Sequence, residues 1–225
     1  MLRTLAMLVY LAALFSAAGI VAGLAYDTAE VRLYVLGALG YMAVMVSYAA
    51  MFLPLGMRAD IDRFDTLKSL PTASAAVVAG EIIPAGCLLS LVQCLLLGAG
   101  VVVDAQLLEV ILGAACFTLP LNLLILGFND LLFLLFPARV AAGTAASVQI
   151  SARQFVTVMI FLPSLLVLVA MAIGCGAIVS LVLNNSALAF ASGTWCAIWL
   201  EVAAIFALAT WLFGRFDVSL ETPPE

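Results

Sequence analysis

The sequence predicts an all-α, polytopic integral membrane protein with six transmembrane helices. Composition is the first reason. Of 225 residues, 67% are hydrophobic and only 9% are charged, whereas a soluble domain carries about 25% charged residues. Mean hydropathy is +1.29. The second reason is that the apolar residues fall in long uncharged runs, and a helix needs roughly 20 such residues to cross the hydrocarbon. The third is that nearly all basic residues gather in alternate connections between those runs. The alternating strands and polar lumen of a transmembrane β-barrel do not appear.

Taken in order, the first run is Leu5 to Ala25, preceded by Arg3. Ala22-Gly23-Leu24-Ala25 resembles a signal-peptide cleavage site, but the run exceeds the usual apolar core of about 7–15 residues, which favours an uncleaved first helix. Gly19 and Gly23 form a G-x-x-x-G that lets helices approach closely. Asp27 to Arg32 reads as a charged turn, and Leu33 to Leu55 as the second span. After a polar segment, Thr72 or Ser74 is placed to cap a third helix running to about Val103. At 1.5 Å per residue that helix is longer than a ~30 Å core requires, so it tilts or projects; Pro84 is expected to kink it.

Asp104 to Glu109 is an acidic turn. The fourth span starts near Leu107, reaches Phe128 and is interrupted by Pro120 and Asn122. Leu131 to Phe136 is too short to span, so it is an interfacial segment or an extension of the same helix. The stretch 137–153 reads as a second cytoplasmic loop or short surface helix. Phe155 to Leu183 is the fifth span, with Pro163, Gly174 and Gly176 as flexible points. Asn184-Asn185-Ser186 form a turn, Leu188 to Phe213 is the sixth span, and 214–225 is a polar tail.

The longest polar segment, Met57 to Pro71 within the loop 56–72, holds three of the eight basic residues and three of the thirteen acids. Charges of that density do not lie in lipid. Met57, Ile61, Phe64 and Leu67 share one helical face, and Arg58/Asp62, Asp60/Arg63 and Asp65/Lys68 are spaced for intrahelical pairing. The segment therefore reads as a short amphipathic helix at the membrane surface, either simply closing a loop or docking a cytoplasmic partner.

Placing both termini in the cytoplasm puts Arg3, Arg58, Arg63, Lys68, Arg139, Arg153 and Arg215 inside and only Arg32 outside. That is a strong positive-inside distribution. The outer turns leave no room for a separate domain, so 1–225 reads as one transmembrane domain, and no internal repeat of the inverted-transporter kind is visible.

The chemistry the chain can perform is narrow. Histidine is absent, which excludes Ser-His-Asp and Cys-His systems and H-E-x-x-H zinc sites. The five cysteines, Cys87, Cys94, Cys116, Cys175 and Cys196, all lie in apolar runs without a C-x-x-C. They read as inert buried or lipid-facing thiols. There is no G-x-x-x-x-G-K-[ST], no paired carboxylates, and no basic-aromatic interleaving for nucleic acid. No catalytic, metal or cofactor site is expected, and the chain does not read as an enzyme. Glu201, near the middle of the last span, is the candidate residue for a substrate path or a structural hydrogen bond. Glu81 and Asp130 read as structural groups nearer the cytoplasmic surface. Trp195, Trp199 and Trp211 read as interface anchors or packing groups.

Asp65-Thr66-Leu67-Lys68-Ser69-Leu70-Pro71 resembles the acidic-x-Leu-x-x-Leu-Pro signature after the second helix of type-2 ABC exporter permeases, with Ala79-Gly80-Glu81 where that family opens its third helix. Arg58-Ala59-Asp60-Ile61-Asp62-Arg63, the run Asn129 to Arg139, and Arg215-Phe216-Asp217-Val218 are similar to motifs of a bacterial subgroup of these exporters. The resemblance covers most of the chain from Met57 onward, in matching order, and corresponds to one six-helix module. It implies that the segment is a coupling helix, with Ile61, Phe64, Asp65, Leu67, Leu70 and Pro71 docking a separate ATP-binding subunit. It also implies a second permease module, identical or different, across the substrate path, and residence in the cytoplasmic (inner) membrane.

Two other readings stay open: an ion-coupled carrier using Glu201 or Glu81 as a proton site, and a lipid-modifying membrane enzyme, for which paired acids or a metal site are missing. The topology is testable by itself. In a background without native cysteines, an impermeant thiol reagent added outside is expected to label Asn185→Cys and not Asp62→Cys. The reverse pattern overturns the six-span arrangement.

Overall fold

The computed structural model describes residues 2–25, 29–52, 57, 71–135 and 146–215. Among these the regular structure is entirely helical: α1 (Leu2–Ala25), α2 (Ala29–Phe52), α3 (Ser74–Val103), a short 3-10 helix (Ala105–Leu107), α4 (Leu108–Leu135), α5 (Ala146–Val182) and α6 (Ala187–Arg215). Among the described residues, five stretches are long and apolar enough to cross a membrane: Glu30–Ser47, Ser74–Val103, Ala105–Leu135, Met159–Val182 and Ala187–Arg215. The apolar stretch Val9–Gly23 in α1 is shorter. The protein is a helical, multi-pass membrane protein.

Several boundaries differ from the sequence expectation for identifiable reasons. Glu30 and Arg32 lie inside α2, not in a turn; an acid in the first turn complements the helix dipole. The cap position of α3 is neither Thr72 nor Ser74. The Ala73 carbonyl takes the first bonds, from the amides of Ala76 (2.8 Å) and Val77 (3.3 Å). α4 passes through Pro120 and Asn122 without a break and absorbs Leu131 to Leu135, so that stretch is an extension of the helix and not a separate interfacial piece. Prolines are tolerated in apolar helices when neighbours satisfy the freed backbone groups. α5 begins at Ala146, so residues 146–153 are helix rather than loop.

Two other turns fall where the sequence places them, the first shortened by the start of α4 at Leu108. The carboxylate of Asp104 accepts from the amide of Gln106 at 3.0 Å and caps the 3-10 helix. Asn184 and Asn185 sit at φ 59° and 56°, the left-handed region that asparagine tolerates better than other side-chain-bearing residues. Ser186 then starts α6: its carbonyl accepts from Phe190 at 3.0 Å.

The chain divides into two compact units, residues 1–55 with 83–122, and residues 56–82 with 123–225. The core of the first unit joins Ala12 of α1, Leu39 and Ala43 of α2, and Val92, Leu96 and Ala99 of α3. The G-x-x-x-G of α1 works as a packing surface there. A Cβ on Gly19 would lie 3.3 Å from Leu39, and one on Gly23 only 2.7 Å from Val103.

In the second unit, Gly176 and Gly193 bring α5 and α6 together. A Cβ on Gly193 would lie 2.9 Å from the Val179 Cβ and 3.1 Å from the Gly176 Cα, and one on Gly176 would run into Thr194. Gly176 is thus a close-packing residue, not a flexible point; Gly174 faces open space. Residues 122–134 of α4 include none that is exposed, and Phe128 meets Phe161 of α5 at 5.4 Å. A helix apolar all round belongs in a core.

All five cysteines are outside any disulfide and exposed on helices that are otherwise apolar at the surface, so they are lipid-facing rather than buried. Trp211 is half exposed, with the Arg215 guanidinium 4.0 Å above its ring at the end of α6. That pair fits an interface anchor.

The glycine contact yields a matched pair of substitutions. Gly193→Val is expected to force α5 and α6 apart and cost about 1–3 kcal/mol. Gly174→Ala, in open helical space, is expected to be neutral or to stabilise by up to roughly 1 kcal/mol. Unfolding of the purified protein in mixed detergent micelles measures both.

Candidate functional site

Of the residues expected to dock a partner, Ile61, Phe64, Asp65, Leu67 and Leu70 lie outside the described residues. Pro71 is described: it sits in an exposed bend just before α3. The polar segment lies in sequence between the end of α2 at Phe52 and the start of α3 at Ser74. Its first residue, Met57, is fully buried, and the Met57 amide donates to Oδ1 of Asp130 at 3.2 Å. Asp130 is 1% exposed. This carboxyl is enclosed on the all-buried part of α4 and receives a backbone donor, as a structural group does. Next to it, Asn129 is buried with no partner for Nδ2 among the described residues.

Glu201 lies near the midpoint of α6, as its sequence position implied. It belongs to a ridge with four-residue spacing, formed by Ala189, Gly193, Ala197, Glu201, Ile205, Ala209 and Phe213. The other members are buried or, at Gly193, packed against α5. Ile205, one turn on, contacts Gly127 of α4. Glu201 is therefore on the protein-facing side of its helix, while Leu200 beside it is 73% exposed. Its Oε2 is buried with no hydrogen-bond partner among the described residues. The indole nitrogen of Trp199, which stacks edge-on with Trp195 at 5.9 Å, and the hydroxyl of Thr210 are buried in the same condition.

A polar constellation the sequence reading did not assemble lies in the first unit. Gln93 of α3 donates through Nε2 to the Ala43 carbonyl (2.9 Å) and to Oγ of Ser47 (2.6 Å), both on α2. Ser47 donates to Oδ1 of Asn122 on α4 at 3.1 Å. Asn122 donates through Nδ2 to Oε1 of Gln93 (2.7 Å) and to Oγ of Ser90 (2.9 Å). Ser90 donates to the Gly86 carbonyl at 2.7 Å. Ser47, Gln93 and Asn122 close a ring across three helices, and every side-chain donor of the four residues is used. In the sequence Asn122 reads only as an interruption of its span, and Ser47 and Gln93 do not stand out. A lone amide in each of two adjacent apolar runs was the available signal.

This arrangement holds helices and leaves no donor for a ligand. An apolar cavity of about 120 Å³ in the same unit, lined by Leu36, Gly40, Leu96, Gly100 and Ile111, is small and has no polar group to orient a guest. Among the described residues, no three His, Cys, Asp or Glu side chains gather to hold a metal. No known protein family, characterised protein or solved structure matches the chain.

The ring makes a measurable prediction. Gln93→Leu or Asn122→Leu leaves the partner's buried amide incompletely bonded and is expected to destabilise the fold by about 1–3 kcal/mol each. Because both residues serve one ring, the double variant is expected to cost less than the sum by ~0.5–3 kcal/mol. Strict additivity in equilibrium unfolding in mixed micelles would show that the two amides act independently.

Proposed function

We propose that this chain is the membrane-spanning permease subunit of a type-2 ABC exporter, with six spans and both termini in the cytoplasm. One observation carries the reading. The acidic-x-Leu-x-x-Leu-Pro pattern of 65–71 closes a charged amphipathic segment placed between the second and third apolar helices, where this class of exporter docks its ATPase. Supporting it are the helical multi-pass architecture, the concentration of basic residues in that segment, and a sequence with no nucleotide-binding motif of its own. In this reading a separate ATP-binding subunit supplies the driving force. A second permease module completes the path, and Glu201 is the acid on the protein-facing side of α6 that meets it.

An ion-coupled carrier is the second reading, favoured by the buried Oε2 of Glu201, which has no partner among the described residues. The two differ in their need for an ATPase, so one substitution separates them. Phe64 is the aromatic group on the apolar face of the segment, and such groups usually dominate helix-in-cleft docking. Phe64→Asp is expected to insert normally, to lose the co-purifying ATPase and to lose stimulation of its ATP hydrolysis, because a charge would be desolvated in the cleft. Wild-type recovery of the partner with normal stimulation overturns the coupling role of this segment.

A further inference from the structure

The hydrogen bond between Met57 and Asp130 connects two features that the functional reading treats separately. Met57 opens the polar segment, and Asp130 lies on α4. Both are buried, at 0% and 1% exposure. The bond is from backbone to side chain, across 73 positions in sequence. The surroundings of Asp130 are equally specific. Asn129, Leu131, Leu132, Phe133 and Leu134 are each at most 5% exposed, so this part of α4 is enclosed on all sides. A polar connection between two helix surfaces exposed to solvent would slip; one enclosed in apolar surroundings has no water to exchange with and is kept.

We infer that Asp130 is a positioning residue that anchors the start of the polar segment to α4, so that displacement of the segment is passed to that helix. The inference rests on the exporter reading for what displaces the segment, and on the structure alone for the anchor. The side chain of Met57 is fully buried while its amide is held by the carboxyl, so the junction is fixed by burial and by direction together. A displacement that reaches Met57 must carry α4 with it or break this junction. Docking and transmission are thereby divided between residues. Phe64 is the contact to the partner, and Asp130 is the contact to the membrane body.

The test uses the full chain, in a background with Cys87, Cys94, Cys116, Cys175 and Cys196 replaced by alanine. The first arm reads the anchor through Met57→Cys and a membrane-permeant maleimide. Labelling is expected to be slow with Asp130 intact, faster by about tenfold with Asp130→Leu, and slow again with Asp130→Asn, which keeps an oxygen acceptor. Equal labelling in all three overturns the anchor. The second arm compares ATP hydrolysis by the co-purified partner in complex with hydrolysis by the partner alone. Asp130→Leu, and Met57→Pro, which removes the donor without touching the carboxyl, are expected to keep the partner and lose the stimulation; Asp130→Asn is expected to retain it. Undiminished stimulation in both Asp130→Leu and Met57→Pro overturns the transmission role. A wild-type chain that binds no ATP-hydrolysing partner overturns the exporter reading and the transmission role with it, while the labelling arm still decides the anchor.

Discussion

The first unit depends on the hydrogen-bonded ring of Ser47, Gln93 and Asn122. Apolar packing alone is a weak guide to register in a bilayer, because lipid tails are as apolar as leucine and solvate a misplaced helix almost as well. Directional bonds have no substitute in hydrocarbon. Gln93 reaches both the Ser47 hydroxyl and the Ala43 carbonyl, and Ala43 is also part of the apolar core with Leu39 and Leu96. The same turn of α2 is therefore fixed by shape and by hydrogen bonding. A slip of α3 by one residue would preserve much of the first and destroy the second, leaving buried amides without partners.

The second unit is held differently. Its closest contacts are made by glycine: Gly193 and Gly176 where α5 meets α6, and Gly127 where α4 meets Ile205. Small residues let backbones approach until dispersion and weak C–H contacts become effective. Polar capacity is left over here. Asn129 Nδ2, Trp199 Nε1, Glu201 Oε2 and Thr210 Oγ1 are buried without partners among the described residues, whereas the ring residues of the first unit use every donor. In the first unit the Ser16 hydroxyl is also buried without a partner among the described residues.

Much of this architecture was legible from spacing and composition. α3 was expected to end near Val103 and does; Asn184 and Asn185 make the turn their chemistry suits; Glu201 falls at mid-helix as counted. What failed was reading single residues without neighbours. Pro120 looks like an interruption because it removes a backbone donor, but inside a packed bundle that cost is local and α4 continues. Gly176 looks flexible because it lacks a Cβ, yet that lack is what admits Thr194 and Gly193. Asp130 looks interfacial because it sits near a loop and beside Asn129. It is buried, and it accepts from the amide of Met57, remote in sequence, which no local pattern reveals. The polar ring was missed for the same reason: its three members are scattered over three runs, and only the fold joins them.

The two acids of the second unit show how similar chemistry is put to different use. Asp130 has a short side chain on a fully enclosed part of α4, and a backbone amide is delivered to it. A backbone donor cannot rotate away, so the bond fixes the amide of Met57 against α4. Glu201 has one more methylene, sits on the ridge of α6 that faces the protein, and keeps one oxygen buried without a donor among the described residues. Such an oxygen is costly unless something occupies it for part of the working cycle, whether a proton, a cation or a polar group of a transported molecule. The exporter and ion-coupled carrier proposals differ in what supplies the energy; both assign the holding role to Asp130, through its bond to the Met57 amide, and the open role to Glu201.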